Sequence, residues 1–309
     1  MRDTKKPAAW RELYPFGSHY LDIDGLRYHF LDEGHYLDEG EKTSDAADRP
    51  TLLLVHGNPT WSFYWRDLVL AFRDRYRVVA PDHIGCGLSD KPSCDGYPFT
   101  LARRVADLGR LIESLDLRHI TLVAHDWGGA IGMGAAAAMP ERFERFVLLN
   151  TAAFRSTRIP FRINVCRLPL LGRLGVQGFN LFAKAAISMA VCKPKRMTAA
   201  VQAGFLAPYD TWRHRTAVHQ FVLDIPLHKK HRSYATLAAI EKALPQFADR
   251  PVCLIWGMRD WCFTPHFLDR FIEFFPKAEV HRLEDAGHYV VQDSPEEVVA
   301  AIDGFLRKT

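Results

Sequence analysis

"TLVAHDWGGAIG", residues 121–132, runs from an apolar strand pattern into a helix of small residues, with a carboxylate, Asp126, at the break. An apolar run without polar alternation reads as a strand buried on both faces, and such strands belong to parallel sheets covered by helices. The stretch Ala124-His125-Asp126-Trp127-Gly128 fits the nucleophile elbow, a sharp strand-to-helix turn that needs small residues two before and two after the reactive one. Ala124 stands where that motif usually has its first Gly, and Gly128 keeps the second. Asp126 takes the place most often filled by serine.

Outward from this stretch the same pattern recurs. "TLLLVHG" (51–57), "YRVVAPD" (76–82), "RFVLLNT" (145–151), "PVCLIWG" (251–257) and "AEVHRLED" (278–285) are short apolar runs. Helical patterns are predicted around 61–74, 101–115 with Thr100 as N-cap, 128–139, 265–275 and 295–307. This alternation implies a mostly parallel α/β sheet flanked by helices. "HYLDIDGLRYHFLDEG" (19–34) has two alternating runs around Asp24-Gly25, a hairpin signal that supplies an antiparallel edge, and "HYLDEGEKTSDAADRP" (35–50) reads as a surface loop. The alternation stops between "LLNT" and "PVCLIWG". We therefore expect a core built from 1–151 and 246–309, with a helical cap over 152–245 and a mostly apolar pocket between them.

The totals agree with one such unit: 309 residues, 48% hydrophobic and 25% charged. "MRDTKKPAAWRELYPFG" has no apolar leader segment and no uncharged run is long enough to span a bilayer, so a cytoplasmic location is expected. Cys86, Cys94, Cys166, Cys192, Cys253 and Cys262 show no paired spacing and read as free thiols. Net charge is +4, yet residues 151–235 carry nine Arg and five Lys against only Asp210 and Asp224, a net +12 that leaves −8 for the remainder. No nucleic-acid recognition motif accompanies this basic island. Its stretch 161–196 alternates apolar clusters with basic residues, as a surface-covering cap does; an interfacial segment would show the same alternation and allow membrane-surface contact or self-association.

Ligands of parallel α/β sheets bind beyond the C-terminal ends of the strands. Standing there are His56-Gly57-Asn58-Pro59, Asp126-Trp127, Asp260 and His288. Asp, Asp and His follow one another as nucleophile, acid and base, the chain order of the α/β-hydrolase triad. His56, His83 and His125 read as structural, and Glu284 and Asp285 as solvated loop residues.

Through "HGNPTWSFYWR" (56–66), "PDHIGCGLSDKP" (81–92), "HDWGG" (125–129), "WGMRD" (256–260) and "DAGHYVVQDSPEE" (285–297) the chain resembles the haloalkane dehalogenase family of α/β-hydrolases. Within it, "LYPFGSHYLDIDG", "APYDTW", "DIPL" and "FADRP" are similar to the branch that includes the β-lactone decarboxylases of bacterial olefin biosynthesis. The resemblance implies Asp126 as nucleophile, His288 as base and Asp260 as its partner, with no cofactor and no metal. It also implies that the side chains of Asn58 and Trp127 bind the departing halide, and that their backbone N–H groups form an oxyanion hole.

The aspartate has a chemical reason. A serine alkylated at oxygen becomes an ether that water cannot readily cleave, whereas an alkylated aspartate is an ester that a His-activated water can hydrolyse. Haloalkane hydrolysis to alcohol and halide is the nominal activity on a small apolar substrate, and β-lactone decarboxylation to a cis-alkene is the alternative. Two weaker readings are an epoxide hydrolase, which needs cap tyrosines such as Tyr209 and Tyr234, and a non-catalytic scaffold.

Overall fold

The computed structural model describes residues 8–34 and 50–309. The loop expected at 35–50 lies outside the described residues except for Pro50. One eight-stranded sheet organises the rest: β1 (His19–Ile23), β2 (Leu26–Glu33), β3 (Thr51–Val55), β4 (Arg77–Pro81), β5 (Ile120–Asp126), β6 (Phe143–Thr151), β7 (Val252–Gly257) and β8 (Glu279–Leu283). Their order is β1-β2-β4-β3-β5-β6-β7-β8. The hairpin pairs β1 with β2 and β2 with β4 antiparallel, and all other pairs are parallel. At its tip Asp24 and Gly25 both adopt positive φ, as a hairpin turn matched to strand twist requires.

The central strands feed a core on each face because successive side chains alternate sides. Leu53, Val55, Leu122, Ala124, Phe146 and Leu148 join one apolar cluster, and Leu52, Leu54, Val123, Val147 and Leu149 join the other. Each fully buried Leu, Val or Phe side chain among them contributes about 1.5–3 kcal/mol. The first face is covered by α2 (Leu101–Ser114), α3 (Trp127–Ala138) and α10 (Pro265–Phe274), the second by α1 (Arg66–Phe72) and α12 (Pro295–Lys308). Thr100 caps α2, its hydroxyl accepting from the Arg103 N–H at 3.2 Å. The helix expected around 61–74 begins instead as a 3-10 turn, Ser62–Trp65, whose first N–H is donated to the Asp82 carboxylate at 2.7 Å. All six cysteines are free thiols.

Between β6 and β7 the chain forms short helices: α4 (Phe161–Val165), α5 (Leu171–Arg173) running into a π-helical turn at Leu174–Gly178, α6 (Leu181–Met189), α7 (Ala199–Leu206), α8 (Thr216–Leu223) and α9 (Tyr234–Ala243). α9 returns to the sheet, for its Leu237 and Ile240 join the first core cluster beside α3. The excursion is fastened by polar contacts that helix periodicity does not reveal. Asp224, fully buried, accepts from Ser233 Oγ at 2.8 Å and Arg232 Nε at 2.9 Å and faces Arg104 of α2 at 3.4 Å. At the other end Asp293, in α11 (Val290–Asp293), accepts from the N–H groups of Cys192, Lys193 and Gly287 at 2.7–3.0 Å.

Candidate active site

Asp126 closes β5 and opens α3 with φ 53° and ψ −126°, a region that costs a non-glycine residue about 1–3 kcal/mol. The β5–β6 register slips between His125 and Asp126, and the Thr151 hydroxyl donates to the Asp126 carbonyl. Two glycines make room for the turn. A Cβ on Gly128 would stand 2.0 Å from the Val55 carbonyl oxygen, and one on Gly57 would stand 2.0 Å from Asp126 Oδ1.

The carboxylate of Asp126 is buried against backbone donors. Oδ1 accepts the Asn58 N–H at 2.6 Å, and the Trp127 N–H also bonds this carboxylate. Burial raises the Asp126 pKa above the usual carboxylate value, while the charge of His288 and these two N–H groups oppose the rise.

His288 follows β8 and approaches Asp126 Oδ2 with Nε2 at 3.7 Å. Its Nδ1–H donates to Asp260 Oδ2 at 2.8 Å. Burial pulls the His288 pKa down, but the charge and hydrogen bond of Asp260, aided by Asp126, hold it above the usual imidazole value. Asp260, just beyond β7, is fixed in turn by the Cys262 N–H at 2.6 Å on Oδ1 and by Asn150 Nδ2 at 3.0 Å on Oδ2. Phe263 stacks on the His288 ring at 5.6 Å. The structure thus brings Asp126, His288, Asp260, Asn58 and Trp127 to one place.

Above them lies a cavity of about 530 Å³ bordered by all of these except Asp260, and by Ile163, Val176, Phe182, Val222, Ile225 and Leu237. Asn58 Nδ2 donates one N–H to the Val218 carbonyl at 3.1 Å, which fixes the amide and leaves its second N–H free to face a ligand. The two tyrosines that epoxide opening would use do not border this cavity. Tyr209 is buried with its hydroxyl on the Thr60 carbonyl, and the Tyr234 hydroxyl accepts from Arg155.

Structural roles fall to the remaining histidines of the motifs. His56 Nδ1–H donates to the Gly57 carbonyl, His83 donates through N–H and Nε2–H to His56, and His125 Nε2–H donates to the His288 carbonyl at 2.8 Å. Asp285 is exposed and paired with Lys193. Sequence reasoning missed Asn150 as a support of Asp260; the structure places it next to the end of β6 with φ 31°, and no sequence signal marks its partner. It also missed Asp293, whose only sequence mark is its position five residues past His288.

An eight-stranded, mostly parallel sheet with an Asp–His–Asp arrangement at its strand ends defines an α/β-hydrolase, and residues 52–301 match the model of the alpha/beta hydrolase family. The chain belongs to that family. Over 301 residues it is 42% identical to a cis-3-alkyl-4-alkyloxetan-2-one decarboxylase of Shewanella oneidensis, covering 96% of this chain and 90% of that one. It is 32% identical to haloalkane dehalogenase 2 of Mycobacterium tuberculosis, over 94% of this chain and 95% of that one. Among solved structures, the haloalkane dehalogenase DbeA from Bradyrhizobium elkani superposes with a TM-score of 0.81 at 23% identity, covering 95% of this chain and 100% of that one, a likeness of fold. The helix-flanked parallel sheet expected from the sequence is therefore the observed fold.

Proposed function

We propose that Asp126 displaces a leaving group from the alkyl carbon of a long-chain apolar substrate, and that this substrate is a β-lactone carrying two alkyl chains. The observation that carries the reading is the apolar cavity of about 530 Å³ that ends on Asp126, a volume in the range that takes ligands of drug size. The name of the Shewanella relative, an oxetan-2-one decarboxylase, supports the same substrate class.

The proposed reaction is as follows. Asp126 Oδ2 attacks the ring carbon bonded to the lactone oxygen; the new C–O ester bond forms as the ring C–O bond breaks, and its electron pair leaves as the substrate's carboxylate. Attack from the face opposite the leaving oxygen sets the ester oxygen anti to that carboxylate. In the second step the carboxylate departs as carbon dioxide, the C–C bonding pair becomes the alkene, and the ester C–O pair returns to Asp126. An anti elimination after one inversion turns a cis-lactone into a cis-alkene. No water is consumed, and the N–H groups of Asn58 and Trp127 stabilise the carboxylate of Asp126 at both ends of the cycle.

Haloalkane hydrolysis is the second reading, favoured by the fixed Asn58 amide and the Trp127 side chain bordering the cavity beside Asp126. There the ester is cleaved by water that His288 deprotonates, and the products are alcohol and halide. The test gives the purified protein a cis-disubstituted β-lactone with two long alkyl chains and follows alkene by gas chromatography, with Asp126→Asn as control. Alkene that disappears in the control is the expected result. Absence of alkene from a preparation that releases bromide from 1-bromobutane overturns the lactone reading in favour of dehalogenation.

A further inference from the structure

Of the eleven large apolar side chains that stand exposed among the described residues, nine fall between Phe161 and Trp212. Phe161 is 81% exposed and Leu170 is 75% exposed, with Leu168, Leu171, Leu174, Phe179 and Leu181 around them. A scatter of single apolar residues needs no account, but a concentration in one segment does. Three of these exposed residues, Val165, Leu171 and Leu181, also line the cavity. The apolar surface is therefore continuous with the mouth of the site.

The backbone under this surface is strained. Leu170 sits at φ 60° and ψ −62°, and the Leu171 N–H donates to the Pro169 carbonyl at 2.7 Å. This is the rare γ-turn with positive φ, an unfavourable conformation for a residue with a side chain. It holds an apolar tip out toward water.

Charge identifies the occupant. From Arg145 to Tyr209 the chain has ten Arg and Lys and no Asp or Glu. Several of these cations are neutralised from elsewhere, Arg155 by Glu241, Lys193 by Asp285 and Arg196 by Glu296. The cations beside the exposed apolar residues are not: Arg162 and Arg173 lie over the rings of Trp261 and Trp212, and Arg158 and Lys184 are exposed, none of the four in an ion pair among the described residues. An exposed apolar surface interspersed along the chain with uncompensated cations is complementary to anionic phosphates above an acyl layer. It is not complementary to itself, because a two-fold pairing would set cation against cation with no carboxylate on either side.

We propose that this face of the insertion docks on an anionic lipid bilayer, with Phe161, Leu168 and Leu170 entering the headgroup–acyl boundary and the four cations meeting phosphates. The cavity mouth then opens toward the acyl region, so a long-chain substrate enters without crossing water; this last consequence rests on the long-chain reading of the site, and the docking does not.

Flotation of the full chain with vesicles tests it. The protein floats with vesicles of phosphatidylcholine and phosphatidylglycerol and stays below with phosphatidylcholine alone. Arg173→Gln with Lys184→Gln lowers the affinity by roughly 25-fold, at about fivefold per cation. Phe161→Ser, Leu168→Ser and Leu170→Ser together abolish flotation while the melting transition is kept, since all three side chains are exposed. Absence of flotation, or flotation unchanged in both variants, overturns the proposal. So does a parent chain that light scattering shows as a dimer, split by the triple substitution and indifferent to vesicles, for the face would then be an interface between copies. Flotation reads no turnover, so a failure to form alkene would overturn the function proposed above and leave docking standing.

Discussion

Replacing His288 with glutamine separates the two reactions, because only one of them needs a base. In the hydrolytic path the water that attacks the Asp126 ester must lie close to His288 Nε2, which stands 3.7 Å from Asp126 Oδ2 and is oriented from behind by the 2.8 Å bond to Asp260. Loss of a positioned general base costs about 10²–10⁴ in rate. Alkylation of Asp126 has no proton transfer and is slowed far less. With 1-bromobutane, His288→Gln therefore releases one bromide per protein and stops, and intact-protein mass spectrometry finds one butyl group on the chain. In the lactone path the ester leaves by elimination, so the same variant keeps turning over, within about tenfold of the parent as judged by the screened charge it loses. Bromide turnover at the parent's rate in His288→Gln would refute the assignment of the base. Consumption of one equivalent of lactone with no alkene formed would refute the water-free second step.

Three more outcomes follow from neighbouring contacts. Asn150→Ala removes a buried hydrogen bond to the Asp260 carboxylate, a loss of about 1.5–3 kcal/mol that stopped-flow kinetics should register as ten- to hundredfold slower ester hydrolysis with alkylation little changed. Asp224→Ala leaves Arg104 buried and unpaired, and urea denaturation should show a loss of about 3–5 kcal/mol together with altered chain-length preference, since Ile225 and Pro226 line the cavity. The pH profiles of the two reactions should differ as well. Hydrolysis needs neutral His288, whose pKa is held above the ordinary value of about 6.5, so bromide turnover falls as the pH drops through a point above that value. Alkene formation needs only ionised Asp126, so it persists until the pH reaches that group's own range, which burial lifts above the ordinary carboxylate value. Coincident profiles would mean that one protonation event governs both.

What the sequence made legible is what short segments decide by themselves. The elbow at Asp126 was readable because strand, turn and helix are contiguous and the small residues that permit the turn sit beside it. His288 follows β8, an edge strand that is half-exposed and not the buried run its sequence suggests, whereas Asp260 was readable as a polar residue just after a buried strand and the hairpin at Asp24-Gly25 as a local turn. Asn150 was not, because its partner lies 110 residues away and nothing in "LLNT" announces a carboxylate beyond the next strand. The path of the insertion was less legible still. Its short helices are tied by side chains that reach main-chain carbonyls, as Arg215 does with those of Tyr209, Asp210, Gln177 and Gly178, so periodicity in the segment cannot place them. The same division separates chemistry from substrate. The polar groups of the site, an oxygen, a ring nitrogen and two N–H groups, are set by the ends of strands, whereas the shape of the cavity is set by walls that come from α4, α6, α8 and α9 at once. Exchanging residues such as Val176 or Val222 should therefore change which chain fits while leaving the reaction at Asp126 as it is.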